Sequence, residues 1–515
     1  MSTEQANPPT AAISSKGLSK GSVGLIGAAV IGISCIAPAY TLTAALGPTV
    51  SEVGIQTPAI ILLGFIPMLL VAFGYRELNK AMPDSGTSFT WGTRAFGPYV
   101  GWMAGWGLII ATILVLSNLA GIAVDFFYLL LGQITSNPDL ADLALNPFVN
   151  VLTCLAFMAI ATSISYRDMQ TTQRFQYWLV GFQLLVLVLF SVVAIVHVAN
   201  GTAFDAQPVS IEMFNPFAAE SFSAIAAGLS LSIFIFWGWD VVLTMSEETK
   251  GTSATPGKAA TLTVFVIVAL YLLISISLLS FAGVGDGEFG LGNPDIQDNV
   301  FYALAGPVLG GLAVLVSIAV LSSSAASLQS TFVSPARTLL AMGYYGALPK
   351  SFAKVHPRFM TPGFATLISA AVASVFYAVM RFVSENALWD TITALGMMVC
   401  FYYGLTAFAS VWYFRASALT SVRNFFFQLL CPLIGGVILA VLFFTTLIDS
   451  MDPAYGSGSE IGGVGLVFIL GVTVLLLGVV LMIVMRVRNP DFFRGTGLKR
   501  GIAGDAAEKD AALAE

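Results

Sequence analysis

Long apolar segments are the feature of this sequence that most restricts its fold. Twelve of them reach about 20 residues, the length that an α-helix needs to cross a bilayer. We number them spans 1 to 12, and they lie near 22–47, 57–80, 97–132, 148–166, 175–199, 221–246, 259–283, 307–342, 363–382, 388–413, 425–448 and 463–486. Only 10% of the 515 residues are charged and 57% are hydrophobic, which leaves too few charges to cover a soluble protein of this size. The sequence therefore predicts an all-α integral membrane protein.

Positively charged residues predict how the chain is oriented. Because the number of spans is even, both termini and alternate loops share one side of the membrane. That side holds all but one of the 22 Lys and Arg residues, the exception being Arg381. Since Lys and Arg are enriched in cytoplasmic loops, we predict a multi-pass protein of the plasma membrane with both termini in the cytoplasm.

The chain divides into one large domain and two tails. We expect a disordered cytoplasmic tail at 1–20, a single transmembrane domain at 21–486 and a cytoplasmic C-terminal tail at 487–515. The four cysteines fall inside spans without a metal-binding spacing, and no nucleotide-binding loop or HExxH motif occurs. We therefore expect no cofactor, no metal site, no enzymatic activity and no nucleic-acid partner. The expected partners are the lipid bilayer and a small molecule.

Two spans are interrupted near the middle. In span 1, Pro38 lacks the amide proton that a continuous helix needs and clashes with the preceding turn. In span 6, Gly238 stands between two tryptophans and precedes Asp240, which is costly at membrane depth unless it faces water, protein or freed backbone groups. Two broken membrane helices at matching places, roughly 200 residues apart, are typical of a transport site near the bilayer midplane.

Three motifs carry a family resemblance. Residues 83–106 open on a Pro-Asp-Ser-Gly turn and end in Gly-Trp-Met-Ala-Gly-Trp. Span 6 is followed by Glu-Glu-Thr-Lys at 247–250, and a basic string that begins Pro-Ala-Arg occupies 335–358. In this order, together with twelve spans, the motifs resemble those of the amino acid–polyamine–organocation (APC) permease superfamily.

The resemblance implies an architecture and an activity. The architecture is the leucine-transporter-like fold, with inverted repeats at 22–199 and 221–413, spans 1 and 6 broken, and peripheral spans within 425–486. The activity is that of a secondary active transporter, which carries an amino acid across the plasma membrane by alternating access, coupled to H⁺ or by exchange. A polyamine or cationic amino acid is the alternative substrate, and it would need a second acidic partner such as Asp125 or Asp240. An integral membrane enzyme is disfavoured because no His/Asp/Glu cluster or HExxH motif occurs at membrane depth, and a receptor or scaffold would have no use for paired broken helices.

The two breaks offer complementary groups to a zwitterionic amino acid. Amides at the start of a helix carry positive partial charge, and carbonyls at the end of a helix carry negative partial charge. We expect the substrate carboxylate at the amides of Ile33, Ser34 and Cys35, although the family's usual Gly-Ser-Gly is Gly-Ile-Ser here. The resemblance places the substrate ammonium at the carbonyls of Phe234 and Ile235.

Side chains beside the break in span 6 have two interpretations each. Trp237 and Trp239 are candidates for the pocket of the substrate side chain or for an outer gate, and the alternative is that at least one packs against span 10. Asp240 is a candidate for a proton-carrying or amine-binding carboxylate. The alternative is that Asp240 is a structural partner of a polar group across the bundle.

The coupling ion is left open by the sequence. Gln183 in span 5 aligns with a Lys of several proton-coupled relatives, and a Gln cannot carry a proton. The remaining proton carriers are Asp240, Glu247 and Asp125, and Asp125 is alternatively a hydrated acid near the membrane surface. Three serines at 322–324 make a sodium site arguable, but small residues there equally permit close helix packing.

Overall fold

Helices form nearly all of the regular structure. The computed structural model describes residues 14–167, 169–383, 387–455 and 457–501. Its helices are α1 (Leu25–Ile36), α2 (Pro38–Val53), α3 (Thr57–Ala81), α4 (Ser88–Phe96), α5 (Pro98–Thr135), α6 (Pro147–Ser165), α7 (Met169–Ala199), α8 (Phe222–Ile235), α9 (Val241–Thr244), α10 (Thr255–Ala282), α11 (Val300–Leu309), α12 (Val314–Thr331), α13 (Val333–Tyr344), α14 (Gly363–Val383), α15 (Ala387–Tyr413), α16 (Val422–Asn424), α17 (Cys431–Asp449), α18 (Leu466–Arg488) and α19 (Pro490–Phe493). A short hairpin pairs β1 (Glu460–Ile461) with β2 (Val464–Gly465) in antiparallel register.

The twelve predicted spans are all found within the described ranges. Ten helical stretches there are long and apolar enough to cross a membrane, and the first of them, Leu25–Ala81, holds both span 1 and span 2. Span 6 is absent from those ten because its first helix, α8, has only 14 residues. Spans 2, 3, 4, 5 and 7 are α3, α5, α6, α7 and α10, span 8 is α12 with α13, spans 9, 10 and 12 are α14, α15 and α18, and span 11 is Val422–Asp449. The chain is therefore a multi-pass membrane protein.

Span 8 differs from its predicted limits. The sequence placed one apolar segment at 307–342, but Pro307 belongs to the separate helix α11, which ends at Leu309. Gly310 follows with a φ of 54°, a conformation that glycine adopts without steric cost. The membrane helix begins only at Val314, because this turn separates it from α11.

The broken spans lie at the centre of the helix bundle. In span 1, α1 packs against α7, α10 and α12, and in span 6, α8 packs against α2, α3 and α15. Span 11 packs through α17 on α15 and α3, and span 12 packs through α18 on α15 and α5. Other helices thus enclose the interrupted segments and keep them away from lipid, as their freed backbone groups require.

The N-terminal segment is packed where the sequence predicted a disordered tail. Residues 1–13 lie outside the described part of the chain, but Ser14, Lys16 and Leu18 are buried. Lys16 Nζ lies 2.6 Å from Asp84 Oδ2 and 2.5 Å from Glu247 Oε1. The structure therefore corrects the prediction for residues 14–20, because a buried ammonium between two carboxylates holds this segment in place.

The Lys16 ion pairs make stability depend on pH. Burial opposes the charged form of both groups, but mutual attraction raises the pKa of Lys16 and lowers the pKa of Asp84. The stabilisation from Asp84 is complete above its ordinary pKa of 3.8 and is lost as the pH falls through its lowered pKa. That from Lys16 is complete below its ordinary pKa of 10.5 and is lost as the pH rises through its raised pKa.

Replacing Lys16 with methionine should lower the melting temperature at neutral pH, and acidification should narrow the difference from wild type. The unpaired Asp84 of the variant is relieved by protonation, at about 1.4 kcal/mol per unit of pKa shift. Thermal unfolding of the detergent-solubilised protein across the acidic and neutral range measures this, with the exposed Lys20→Met as control. A difference that did not change with pH would contradict the prediction.

Both ends of the transmembrane domain are bonded to other segments at the same end of the helix bundle. The chain entering span 1 pairs with the chain leaving span 6, since Val23 N donates to Glu248 O at 3.1 Å and Lys250 N donates to Val23 O at 2.8 Å. Beyond span 12, the buried ring of Phe492 stacks on Phe89 at a centroid distance of 5.5 Å. The last part of the predicted C-terminal tail, 502–515, lies outside the described residues.

Candidate functional site

Span 1 is broken at Ala37. Proline disfavours the helical conformation at the residue before it, and Ala37 takes up the left-handed region with φ 58° and ψ 63°. Helix α1 ends at Ile36, and Ala37 N closes its last turn by donating to Ile33 O at 3.0 Å. A new helix begins at Pro38, as the missing amide of proline predicted.

The amides of the predicted carboxylate site are not exposed by this break. Ile33, Ser34 and Cys35 are buried in the last turns of α1, whose regular hydrogen bonds use their amides. The amides that a helix leaves without an internal partner belong to the first turn of α2, where Tyr40 N donates to Ser323 Oγ at 3.4 Å. The expectation of free amides at 33–35 is therefore corrected for this conformation, and contact between these residues and substrate stays a prediction.

The Ser34 side chain belongs to a buried polar network that the sequence did not reveal. Ser34 Oγ donates to Gln176 Oε1 at 2.5 Å and lies 3.1 Å from Ser330 Oγ. Gln176 Nε2 donates to Ala326 O at 2.8 Å and also to Gln329 Oε1. Uncharged amides and hydroxyls thus join α1, α7 and α12 beside the break.

Hydroxyls of span 8 reach the break both within the serine run, where Ser323 Oγ accepts from Tyr40 N, and further along the helix. Ser327 Oγ donates to the carbonyl of Cys35 at 2.9 Å, and Thr331 Oγ1 lies 3.4 Å from Cys35 Sγ. Of the predicted serines at 322–324, Ser322 bonds back to Ala319 O of its own helix at 2.9 Å. A cation at this junction would be held by Ser327 and the Cys35 carbonyl, which the serine run did not indicate.

Span 6 is broken directly after Ile235. Helix α8 ends there, and Gly238 takes a φ of 107°, which side-chain-bearing residues rarely adopt. The carbonyl of Phe234 accepts from Trp237 N at 2.9 Å, and that of Ile235 accepts from the Tyr271 hydroxyl at 2.9 Å. Because a carbonyl oxygen has two lone pairs, each of these two carbonyls can accept a second hydrogen bond from a bound molecule.

The two breaks meet inside the protein. A Cβ atom added to Gly238 would lie 3.1 Å from Cys35 Sγ and 3.2 Å from the Cys35 carbonyl carbon. The ring of Tyr40, from the first turn of α2, meets Phe234 edge-on at a centroid distance of 6.3 Å. The end of α1, the start of α2 and the end of α8 therefore lie side by side, as two interrupted helices forming one site require.

Asp240 is bound by two tyrosines of span 10. Its Oδ1 accepts from the Tyr403 hydroxyl at 2.9 Å and its Oδ2 from the Tyr402 hydroxyl at 3.2 Å. Tyr402 in turn accepts from Trp237 Nε1 at 2.7 Å. In this conformation Asp240 has the structural role that the sequence gave as the alternative, since it joins span 6 to span 10.

Trp239 lies on the same side of the break as Asp240. Its ring centroid is 5.1 Å from those of Tyr75 and Tyr403. Both tryptophans thus contact tyrosines of span 10, and a role of either one in the substrate pocket or in a gate stays a prediction. Within the described residues the buried Trp239 Nε1 has no hydrogen-bond partner.

Gln183 and Asp125 lie apart from the contacts that join the breaks. Gln183 is fully buried, and neither polar atom of its side chain has a partner among the described residues. It lies two turns from Gln176 on the same face of α7. Asp125 is half-buried, and its charge acts on Cys154 of span 4 and Tyr377 of span 9.

Several residues of this site carried no signal in the sequence. They are polar side chains within apolar spans, and the sequence does not distinguish them from ordinary packing residues. They are Gln176, Tyr271, Tyr402 and Tyr403. One argument was available from the sequence, because a buried Asp240 requires hydrogen-bond donors. The adjacent tyrosines of span 10 were donors of that kind, but only the fold shows which span faces Asp240.

A helical membrane protein whose two central, broken spans meet in this way falls in the class of secondary transporters with the leucine-transporter-like fold. The solved structure of MhsT in complex with L-phenylalanine matches this fold with a TM-score of 0.58 and 15% identity, over 81% of this chain and 98% of that one. The fold predicted from the motifs is confirmed. The family model described as amino acid permease matches residues 21–489, so the chain belongs to the amino acid permease family.

Two relatives are transporters that are named for different substrates. The low-affinity putrescine importer PlaP of Escherichia coli (strain K12) is 22% identical over 424 residues, which is 81% of this chain and 86% of that protein. The branched-chain amino acid permease BcaP of Bacillus subtilis (strain 168) is 24% identical over 349 residues, 65% of this chain and 68% of that protein. The resemblance to APC permeases is confirmed, and these relatives point to a transporter and away from an enzyme.

Proposed function

We propose that this protein carries an amino acid across the plasma membrane by alternating access at the junction of the two breaks. The observation that carries the proposal is the contact between Gly238 and Cys35, which brings the two interrupted helices together in the protein interior. The family supports it, and the relatives supply precedents, since BcaP is named as a branched-chain amino acid permease and MhsT was solved in complex with L-phenylalanine.

The proposed contacts divide a zwitterion between the two spans. The ammonium is taken by the carbonyls of Phe234 and Ile235, each of which keeps one lone pair. The carboxylate meets the amides at 33–35 and the Ser34 hydroxyl once the last turn of α1 opens. Trp237 and Trp239 border the substrate side chain from the span 6 side. Rocking of one group of helices against the other then opens the junction to each side in turn.

We further propose that both termini lie in the cytoplasm. Lys16, Arg94 and Arg337 lie at the end of the bundle that carries the termini, and Arg94 Nη1 donates to Lys499 O at 3.1 Å. Arg381 lies at the opposite end, with Nη2 3.3 Å from Leu145 O. This sorting is the one expected when cytoplasmic loops are rich in Lys and Arg.

Transport by the purified protein in liposomes tests the proposal. Uptake of radiolabelled amino acids is measured with a pH gradient, with a Na⁺ gradient, and with unlabelled substrate inside but no gradient. Uptake that requires the pH gradient identifies H⁺ coupling, and uptake that requires only internal substrate identifies exchange. Failure of every standard amino acid to enter under all three conditions would overturn the proposal.

Asp240→Asn is expected to separate coupling from binding. The asparagine can still accept from one tyrosine, but it cannot carry a proton, so uptake driven by the pH gradient should fall about tenfold while exchange persists. The same liposome assays measure both, and Asp125→Asn tests the other intramembrane acid in the same way. Equal loss of uptake and exchange would leave Asp240 with its structural role alone.

A polyamine is the second candidate substrate because the relative PlaP is named as a putrescine importer. A diamine needs an acidic partner for its second ammonium. Each Asp240 oxygen accepts one tyrosine hydroxyl and keeps a further lone pair, so Asp240 and Asp125 are both acids to test. Under this alternative, Asp125→Asn abolishes putrescine uptake and leaves uptake of a neutral amino acid unchanged.

A further inference from the structure

The hydroxyl of Tyr271 lies between the two breaks. Tyr271 stands in α10 and is fully buried. Its oxygen lies 2.9 Å from the carbonyl oxygen of Ile235, the last residue of α8, and 2.6 Å from Thr41 Oγ1 in the first turn of α2. One side chain of span 7 therefore contacts the outer halves of both broken spans.

The number of protons fixes the direction of these bonds. Each hydroxyl has one proton to donate. The Ile235 carbonyl can only accept, so Tyr271 donates to it and Thr41 donates to Tyr271. The Thr41 hydroxyl also lies 3.1 Å from Ala37 O and 3.4 Å from Pro38 O, but its closest contact, 2.6 Å to a Tyr271 oxygen whose own proton goes to Ile235, needs the Thr41 proton. The result is a chain from Thr41 through Tyr271 to Ile235, in which each bond strengthens the next.

We propose that Tyr271 is a positioning residue that aims the remaining lone pair of the Ile235 carbonyl at the substrate ammonium and so selects primary amines. The inference rests on the proposed function, in which that carbonyl binds the ammonium. Hydrogen bonds approach a carbonyl oxygen roughly along its two lone-pair directions. With one direction taken by Tyr271, only the other is open to the guest.

The fixed direction has a consequence for selectivity. The last carbonyls of a helix have no partner within the helix and can tilt, and the bond to Tyr271 removes that freedom before substrate arrives. A carbonyl held in one direction forms a good hydrogen bond only with an N–H group that lies along that direction. Each methyl group on the substrate nitrogen replaces one N–H group, so methylated substrates fill that position less often. Wild-type protein should therefore prefer a primary amino acid over its N-methyl and N,N-dimethyl derivatives.

Tyr271→Phe removes the hydroxyl and keeps the ring. For the primary amino acid we expect KM to rise about fivefold to tenfold with little change in kcat, because a carbonyl that is no longer held in one direction binds the ammonium less well. For the N,N-dimethyl derivative KM should change much less, so the preference for the primary amine narrows. The probes are the amino acid that wild-type protein transports best from the standard set and its two methylated derivatives, assayed in liposomes.

A second variant keeps the test decisive if Tyr271→Phe does not fold. Thr41→Val removes the donor to Tyr271 and should narrow the same preference to a smaller extent. Thr43→Val is the matched control, because the Thr43 hydroxyl only donates to Ala39 O of its own helix at 2.8 Å. Equal changes in KM for all three substrates, or an unchanged preference in both variants, would overturn the inference. A wild-type protein that transports no amino acid would instead overturn the proposed function.

Discussion

Gly238→Ala is expected to lower the rate of transport by a hundredfold or more. The added Cβ would lie 3.1 Å from Cys35 Sγ and 3.2 Å from its carbonyl carbon, and the φ of 107° is one that alanine rarely adopts. Strain of about 1–2 kcal/mol from the backbone adds to about 1–3 kcal/mol from the forced contact. The strain falls at the point where the two breaks touch, so the geometry of the site changes with it.

Initial uptake rates in liposomes, normalised to the amount of folded protein, measure this effect. Gly181→Ala is the matched control, because Gly181 lies within α7 and a Cβ there would meet nothing within 4 Å. That variant should transport at the wild-type rate. If Gly238→Ala transported at the wild-type rate, the close approach of Gly238 to Cys35 would not be needed during the transport cycle, and the prediction would be wrong.

Glu248→Gln is expected to destabilise the protein by about 3–5 kcal/mol, the cost of removing one partner from a buried ion pair. Glu248 and Arg337 have side chains exposed to only 1% and 3%, and Arg337 Nη2 donates to Glu248 Oε1 at 2.9 Å, with a second bond from Nε to Oε2. A glutamine leaves the guanidinium charge buried without its counter-charge.

The melting temperature of the detergent-solubilised protein shows the loss. Asp491→Asn serves as the control, because Asp491 and Arg494 form a pair 3.6 Å apart whose side chains are 81% and 72% exposed. Exposed ion pairs contribute little to the free energy of unfolding, so this variant should have the same melting temperature as wild type. If Glu248→Gln also had the melting temperature of wild type, the buried ion pair would not stabilise the protein as predicted.

The sequence predicted the fold because its determinants are local. A run of apolar residues long enough to cross a bilayer identifies a span without any knowledge of its neighbours. Pro38 lacks an amide proton and disfavours the helical conformation at the residue before it, which made a break there the local expectation. Gly238 marked the second break in the same local way. Even so, the exact position of a break depends on packing. Span 1 continues to Ile36 before it turns, so the amides expected to be free lie inside the helix.

Ser34, Trp237 and Asp240 could be predicted as site residues because each lies beside a break, but their partners on other spans could not. The contacts between the three family motifs were equally hidden, although each motif was visible as a separate string. Arg337 of one motif bonds Glu248 of the second, and Asp84 of the third shares Lys16 with Glu247. Lys16 itself lies in a polar segment that composition assigns to disorder. Pairings between spans depend on which helix faces which, and periodicity within one span carries no such information.

The two backbone bonds between Val23 and the chain at 248–250 have a mechanical consequence. Helix α9 has only four residues, and the bonds with Val23 lie just beyond it, at Glu248 and Lys250. They tie the chain before α1 to the chain after α9. Any movement that parted the two broken spans at this end of the bundle would therefore have to break both bonds.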